Sequence, residues 1–304
     1  MRVWYLLDTW HISTHKKLDA FESRWGSRQS YGDLFKTAVI SYFKNDNNIS
    51  DEDIYLNFLN SLDKSLVYTF IIRSTINNRL VCNPVQGEQK IYFSGEFKIE
   101  NNDAVLLSTN SSNISKPTEK LLDLSFNNMD TMIESLCSYA KGLDPKVSPG
   151  VLLYYNEGMP VWGTLKIVNS NYHQQELLRD NCPNVIIRYI QLRNDPLLNS
   201  FKQLYPEHNH EFVIIERILK NIVNNIFHAY KTRYYRLKYI RIPPEQYYIM
   251  NAVHTMNPFD PRKSNINTCI SKNVFMDYIN AMPSNRVNHL IMMEFNRGSQ
   301  EVTR

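Results

Sequence analysis

Phe212, Ile215, Ile218, Leu219, Ile222, Val223, Ile226, Phe227, Tyr230, Tyr234 and Leu237 recur at three- and four-residue spacing, and no glycine or proline follows before Pro243. That period predicts an amphipathic helix of about 30 residues, roughly 45 Å long. Ile242-Pro243-Pro244 must end it, because proline lacks the amide proton and restrains the residue before it. Glu245–Met256 and Ser271–Met282 are weaker helical stretches on either side of the Asn257-Pro258 and Asp260-Pro261 turns.

The chain before about residue 205 has a different character. Arg2–Leu7, Leu66–Arg73, Arg79–Cys82, Lys90–Phe93, Ala104–Ser108, Val151–Tyr155, Gly163–Val168 and Val185–Leu192 are aromatic and β-branched runs separated by Asn, Asp, Ser, Gly or Pro, a spacing that reads as antiparallel sheet. Three helical stretches interrupt them: Tyr31–Phe43, Asp51–Leu62 behind the N-cap Ser50, and Asp130–Lys141. The opening Trp10-His11-Ile12-Ser13-Thr14 reads as the second half of a hairpin entered without its first partners. The fold class is therefore α+β, with a β-rich part over 1–205 and a helical part over 206–304.

Composition narrows function. Of 304 residues, 43% are hydrophobic and 21% charged, which excludes a disordered chain. Only 9 glycines are present, a poor supply for glycine-rich phosphate loops. Four cysteines without Cys-x-x-Cys spacing indicate free thiols rather than a disulfide framework or zinc knuckle. The apolar run Val3–Leu7 is far shorter than the ~18–20 residues of a membrane span, so no membrane partner and a cytoplasmic location are expected.

Charge is distributed more tellingly than its sum of +4 suggests. Between Glu216 and Glu245 there is no acid, while Arg217, Lys220, Lys231, Arg233, Arg236, Lys238 and Arg241 are cationic and Tyr230, Tyr234, Tyr235 and Tyr239 interleave with them. Cations at helical spacing match phosphates and tyrosines stack on unpaired bases, so RNA is the candidate partner of Lys231, Arg233, Arg236, Lys238 and Arg241. The plainer alternative is that these cations offset the helix dipole and the tyrosines pack on the protein. Arg79, after Asn78, is either a turn residue or a phosphate ligand, and Lys166, amid apolar neighbours, either snorkels outward or holds an anion. His11 and His15 lack a third ligand and are not assigned a metal.

The succession Trp10-His11-Ile12-Ser13-Thr14, Ser23-Arg24-Trp25-Gly26-Ser27, Asn78-Arg79-Leu80-Val81, Gly150-Val151-Leu152-Leu153, Lys166-Ile167…Asn171-Tyr172 and Leu178-Arg179-Asp180-Asn181-Cys182-Pro183-Asn184 resembles the ATP-dependent RNA ligases of the covalent nucleotidyltransferase superfamily, in particular the ligase-like proteins of large DNA viruses. The resemblance implies an antiparallel-sheet nucleotidyltransferase-like core. It also implies a reaction in which a lysine of a Lys-x-Asp-Gly motif takes AMP from ATP, passes it to an RNA 5′-phosphate and yields to a 3′-hydroxyl, with Mg²⁺ as cofactor. Arg79 and Lys166 fall on its phosphate-binding positions.

The departures are specific. No Lys-x-Asp-Gly occurs, Ile71 and Pro149 stand where the family has carboxylates, and Val168 replaces the second lysine of the pair begun by Lys166. No catalytic residue is assigned. Three accounts compete: a truncated reading frame, one piece of a split enzyme whose partner chain carries the nucleophile, and a ligase-derived non-enzyme that kept an RNA-binding surface. Ile71 and Pro149 lie inside the chain, so truncation does not explain them. ATP and Mg²⁺ are expected only if the family activity is retained, with the protein in the host cytoplasm or, for a viral protein, the virion. The competing class is a viral structural or replication-complex interaction protein without nucleotide chemistry.

Overall fold

The computed structural model describes residues 1–44, 49–73, 80–83, 89–108, 128–153, 165–256 and 270–302. Among these it has seven strands and ten α-helices, an α+β fold whose C-terminal part is helical. The chain divides into two compact units, Met1–Pro183 and Asn184–Arg304.

The first unit is organised by a five-stranded antiparallel sheet of order β2-β1-β3-β4-β5, where β1 is Arg2–Leu6, β2 Thr9–Ser13, β3 Val67–Arg73, β4 Lys90–Glu100 and β5 Asp103–Ser108. Contrary to the expectation that the hairpin strand lacks its first partners, β1 is that partner: it pairs with β2 on one side and β3 on the other. Leu7 and Asp8 make the connection with φ of 49° and 58°, the doubly left-handed pair of a type I′ turn, which asparagine and glycine adopt more cheaply. Alternation along β3 sends Tyr68 and Phe70 into the core beneath α1 (Tyr31–Phe43) and α2 (Asp51–Asn60), where Phe35, Phe58 and Phe70 meet at centroid distances of 5.6–6.2 Å. Both helix starts are capped, that of α2 by the serine its sequence announces. Ser30 and Asp33 form a reciprocal capping box, and Ser50 Oγ accepts from Asp53 N at 3.1 Å. Gly32 earns its place: a Cβ there would enter the Phe21 ring.

A second, two-stranded sheet pairs β6 (Gly150–Leu153) with β7 (Leu165–Val168) against α3 (Met129–Gly142). Its connection to α4 (Ser170–Arg179) turns on Asn169, which is wholly buried. Its amide donates to Ala140 O (2.8 Å) and Leu143 O (2.7 Å), and its Oδ1 accepts from Asn171 N (2.8 Å) and Tyr172 N (3.1 Å). One side chain thus closes the C-terminus of α3 and the N-terminus of α4. Asn169→Ala leaves Leu143 O and the amides of Asn171 and Tyr172 without their side-chain partner, while Ala140 O keeps the Leu143 amide, and a loss of about 2 kcal/mol from this unit is expected in urea unfolding followed by tryptophan emission. A loss below about 1 kcal/mol would show that the tie is dispensable.

The second unit is a helical assembly around α7 (Asn209–Tyr230), whose Phe212, Ile215, Leu219, Ile222, Val223 and Ile226 are buried against α5 (Val185–Gln191), α8 (Pro244–Met256), α9 (Lys272–Asn280) and α10 (Ser284–Val302); α6 (Leu198–Leu204) precedes α7. Two expectations are corrected here. Val185–Leu192 is a helix rather than a strand: Asn184 Oδ1 accepts from Ile186 N and Ile187 N, and Tyr189 stacks on Phe212 at 4.2 Å and 9°. Capping and burial override the β-branched run. The long helix also stops well before Pro243. Its α-helical part is 22 residues, followed by one π turn over Lys231–Tyr235 and by Leu237 at φ 53°. Tyr230 is wholly buried and its hydroxyl lies 3.2 Å from His254 Nδ1, while Tyr234 lies flat on the His254 ring at 3.8 Å. Packing on α8 thus replaces the next α-turn, and π turns of this kind often mark functional positions.

Arg193 ties three parts of this unit together. Its Nε and Nη2 donate to both oxygens of Glu216 (2.8 and 3.1 Å), its Nη1 bonds Asn280 Oδ1 at 2.5 Å, and Tyr189 donates its hydroxyl to Glu216 Oε1 at 2.9 Å. Partial burial raises the Glu216 pKa, but the Arg193 fork and the tyrosine hydroxyl outweigh it and hold the carboxyl below its ordinary range. No helix among the described residues is long and apolar enough to cross a membrane.

Candidate nucleic-acid interface

The end of α7 determines how the basic run is displayed. Lys231 and Arg233 belong to the π turn and lean on rings: Lys231 Nζ sits 4.5 Å from the Phe227 centroid, and the Arg233 guanidinium 5.1 Å from Tyr247 and 5.9 Å from Tyr234. Arg236, Leu237, Lys238, Tyr239 and Arg241 follow outside any helix, all exposed, with Tyr239 at 85%. The five cations therefore do not share one helix face, as the unbroken helix would have had it. Two stand on the π turn and three on the strap that follows it, where Arg236 N and Lys238 N still donate back to Lys231 O and Thr232 O at 3.0 Å. Among the described residues, Arg236, Lys238 and Arg241 enter no ion pair. The four tyrosines also separate, with Tyr230 and Tyr234 committed to packing on His254 and Tyr239 projecting between two cations.

An exposed aromatic ring flanked by cations beyond a helix end has the chemistry of a single-strand platform. A ring of this kind can offer a face to a base, and such cations can meet phosphates. The dipole-offset alternative weakens for Lys238 and Arg241, which lie beyond the helix end, and stands for Lys231 and Arg233.

In the first unit, Lys166 sits in β7, opposite Leu152, with its side chain exposed. Arg79 lies outside the described residues. The charge of Lys166 is felt at the Cys82 thiol: burial pushes that thiol above its ordinary range, the charges of Arg73 and Lys166 pull it partly back, and Asp144 opposes them. Arg73, which sequence reading did not single out, donates from Nη2 to Asn83 O at 3.3 Å. Of the Arg79–Cys82 strand, residues Leu80–Cys82 form bends rather than a strand.

At two positions where the ligase resemblance calls for carboxylates toward Mg²⁺, the residues present do not fit the ion. Ile71 is a β3 residue facing Tyr92 across the ladder, Pro149 offers only its carbonyl, which accepts from Asn169 N, and no three His, Cys, Asp or Glu residues gather among the described residues. His11 stacks on Trp4 at 5.6 Å, and its Nε2 lies 3.1 Å from Leu6 O, a structural role. Other segments that carry the ligase resemblance also have structural work: the buried Arg179 donates to Pro183 O at 2.6 Å and stands 5.3 Å from the Trp25 ring.

Comparison with known proteins points to large DNA viruses. The chain is similar to the immediate-early protein ICP-46 homolog of invertebrate iridescent virus 3, with 30% identity over 237 residues, 77% of this chain and 47% of that protein. It is similar to the protein of the same description from invertebrate iridescent virus 6, with 30% identity over 228 residues, 73% of this chain and 48% of that protein. The chain spans about half the length of these curated relatives. No family model matches it, and no solved structure does.

Proposed function

We propose that the protein is a viral RNA-binding protein that takes single-stranded RNA along the strap Arg236–Arg241, with Lys231 and Arg233 as flanking cations. The observation that carries this reading is Tyr239, 85% exposed between Lys238 and Arg241, on a backbone that has left its helix. An aromatic residue so exposed loses the benefit of burial, and base stacking of about 1–3 kcal/mol restores it. Arg79 and Lys166 are further phosphate ligands in this reading, assigned from the ligase resemblance, with Lys166 on the open side of β7.

Nucleotidyl transfer is not assigned to this chain's own residues. Ile71 and Pro149 supply no carboxylate, and the sequence holds no Lys-x-Asp-Gly. ATP and Mg²⁺ become cofactors only in company with a segment, of this polypeptide or another, that brings the nucleophile. Incubation with α-labelled ATP and Mg²⁺, followed by a denaturing gel, tests this half of the proposal. An unlabelled protein band is expected, and a covalent label that survives denaturation would overturn it.

A further inference from the structure

Behind the strap runs a groove of about 880 Å³, a size usual for small-ligand sites. Ile240, Arg241 and Ile242 form one wall and α7 and α10 the others, with Ile218 and Asn221 from the first and Glu294, Phe295 and Arg297 from the second. Its chemistry is mixed in an ordered way. Phe295, 52% exposed, lines the groove wall. Glu294 accepts from Gln246 Nε2 (2.9 Å), Arg297 Nη1 (3.0 Å) and Asn225 Nδ2 (3.4 Å), so its carboxylate is already engaged. Because a carboxylate only accepts, the Gln246 amide has one orientation, and its buried Oε1 has no partner. Arg241 and Arg297 against Glu294 leave the lining one charge positive, before any contribution of His228, and Arg297 is the one of the two that Glu294 holds.

One positive charge, an exposed ring and side-chain amides match one nucleotide: a monoanionic phosphodiester, a base face and a base edge. The strap that exposes Tyr239 contributes Arg241 to the groove two residues later, so a strand stacked on the first reaches the second. We infer that this groove holds one nucleotide unit, its base on the Phe295 ring with its edge toward the Asn221 amide, and its phosphate at Arg241. For a nucleotide within a strand, the inference rests on the RNA-binding reading above. For a free mononucleotide, the same chemistry stands without it.

The test uses the full chain, a fluorescein-labelled single-stranded ribo-oligomer read by anisotropy, and AMP, CMP, GMP and UMP read by calorimetry. Phe295→Ala removes the stacking face and Asn221→Trp fills the groove from an exposed α7 position. Phe295→Ala is expected to weaken the oligomer roughly tenfold without changing the salt slope, because it removes no phosphate contact, whereas Asn221→Trp should weaken it at least as much and, by keeping the phosphate from Arg241, lower the slope by about 0.7. Thermal melts accompany both, and if the tryptophan variant does not fold, the alanine variant decides. Oligomer binding unchanged in the folded variants would overturn the groove inference and leave the strap standing. Mononucleotide binding that is lost in the variants, with no oligomer binding by the wild type, would support the groove as a mononucleotide site and overturn the strand reading. Binding of neither probe would overturn both.

Discussion

Arg193→Ala should unfold the helical unit more readily than any exposed substitution, by about 3 kcal/mol. The guanidinium satisfies both oxygens of Glu216 and the side chain of Asn280, and its own side chain is only 8% exposed. Removing it leaves a half-buried carboxylate with one remaining donor, Tyr189, and separates the end of α5 from α7 and α9. Breaking one side of such a pair costs more than the pair contributes, because the surviving charge keeps its desolvation penalty. Chemical denaturation monitored by circular dichroism measures the loss, and a change under 1 kcal/mol would contradict the role given to this pair.

The same site sets a pH dependence whose sign follows from the direction of each shift. Glu216 is held below its ordinary value of 4.5, so its contribution is full above that pH and disappears as pH falls through the folded-state value. His254 is also lowered from 6.5, by burial, so its contribution is full above about 6.5 and erodes on acidification. Both make the helical unit less stable in acid. In the Arg193→Ala protein burial of Glu216 is opposed only by the Tyr189 hydroxyl and the charge of Lys202, so the acid-induced loss between pH 5 and pH 3 should shrink relative to wild type.

The second large effect concerns binding. Substituting Arg236, Lys238 and Arg241 together by alanine removes three exposed cations that hold no other partner among the described carboxylates. For single strands each phosphate contact contributes about 0.7 to the slope of log K against log salt. Three contacts then account for about 2 units of slope and, near 0.1 M salt, for an affinity loss of about 100-fold that vanishes toward 1 M. Stability should hardly move, since exposed charges without partners contribute little. An unchanged slope would remove the strap from the account even if the protein retained RNA.

How much of this was legible in the sequence depends on which force decided each segment. The aromatic run of β3, the cap at Ser50 and the stripe of α7 as far as Tyr230 are local signals, and those elements formed where the signals lay. The helix at Val185–Gln191 was not legible from β-branched content, although Asn184 ahead of it was a usable capping signal. Nor did period alone reveal α10, whose Val287, Leu290 and Ile291 nonetheless sit at helical spacing. The end of α7 depended on tertiary contacts: a run of helix-compatible residues says nothing about Tyr234 stacking on His254 twenty residues later. That stacking is also why the basic run was visible as composition yet not as a surface. Cations at Arg236, Lys238 and Arg241 look helical in sequence, and only the left-handed Leu237 shows that they leave the helix. The groove behind them draws on Asn221 and Phe295, 74 residues apart in sequence, and no local pattern joins those two.

The most direct measurement is photocrosslinking of a 4-thiouridine-substituted single-stranded RNA to the full chain, with the adducts mapped by mass spectrometry. The account predicts adducts on the Leu237–Arg241 segment, centred on Tyr239, that are lost in Tyr239→Ala. Adducts confined to Met1–Pro183, or none above a non-RNA control, would contradict it and return the basic run to the role of a protein-interaction surface.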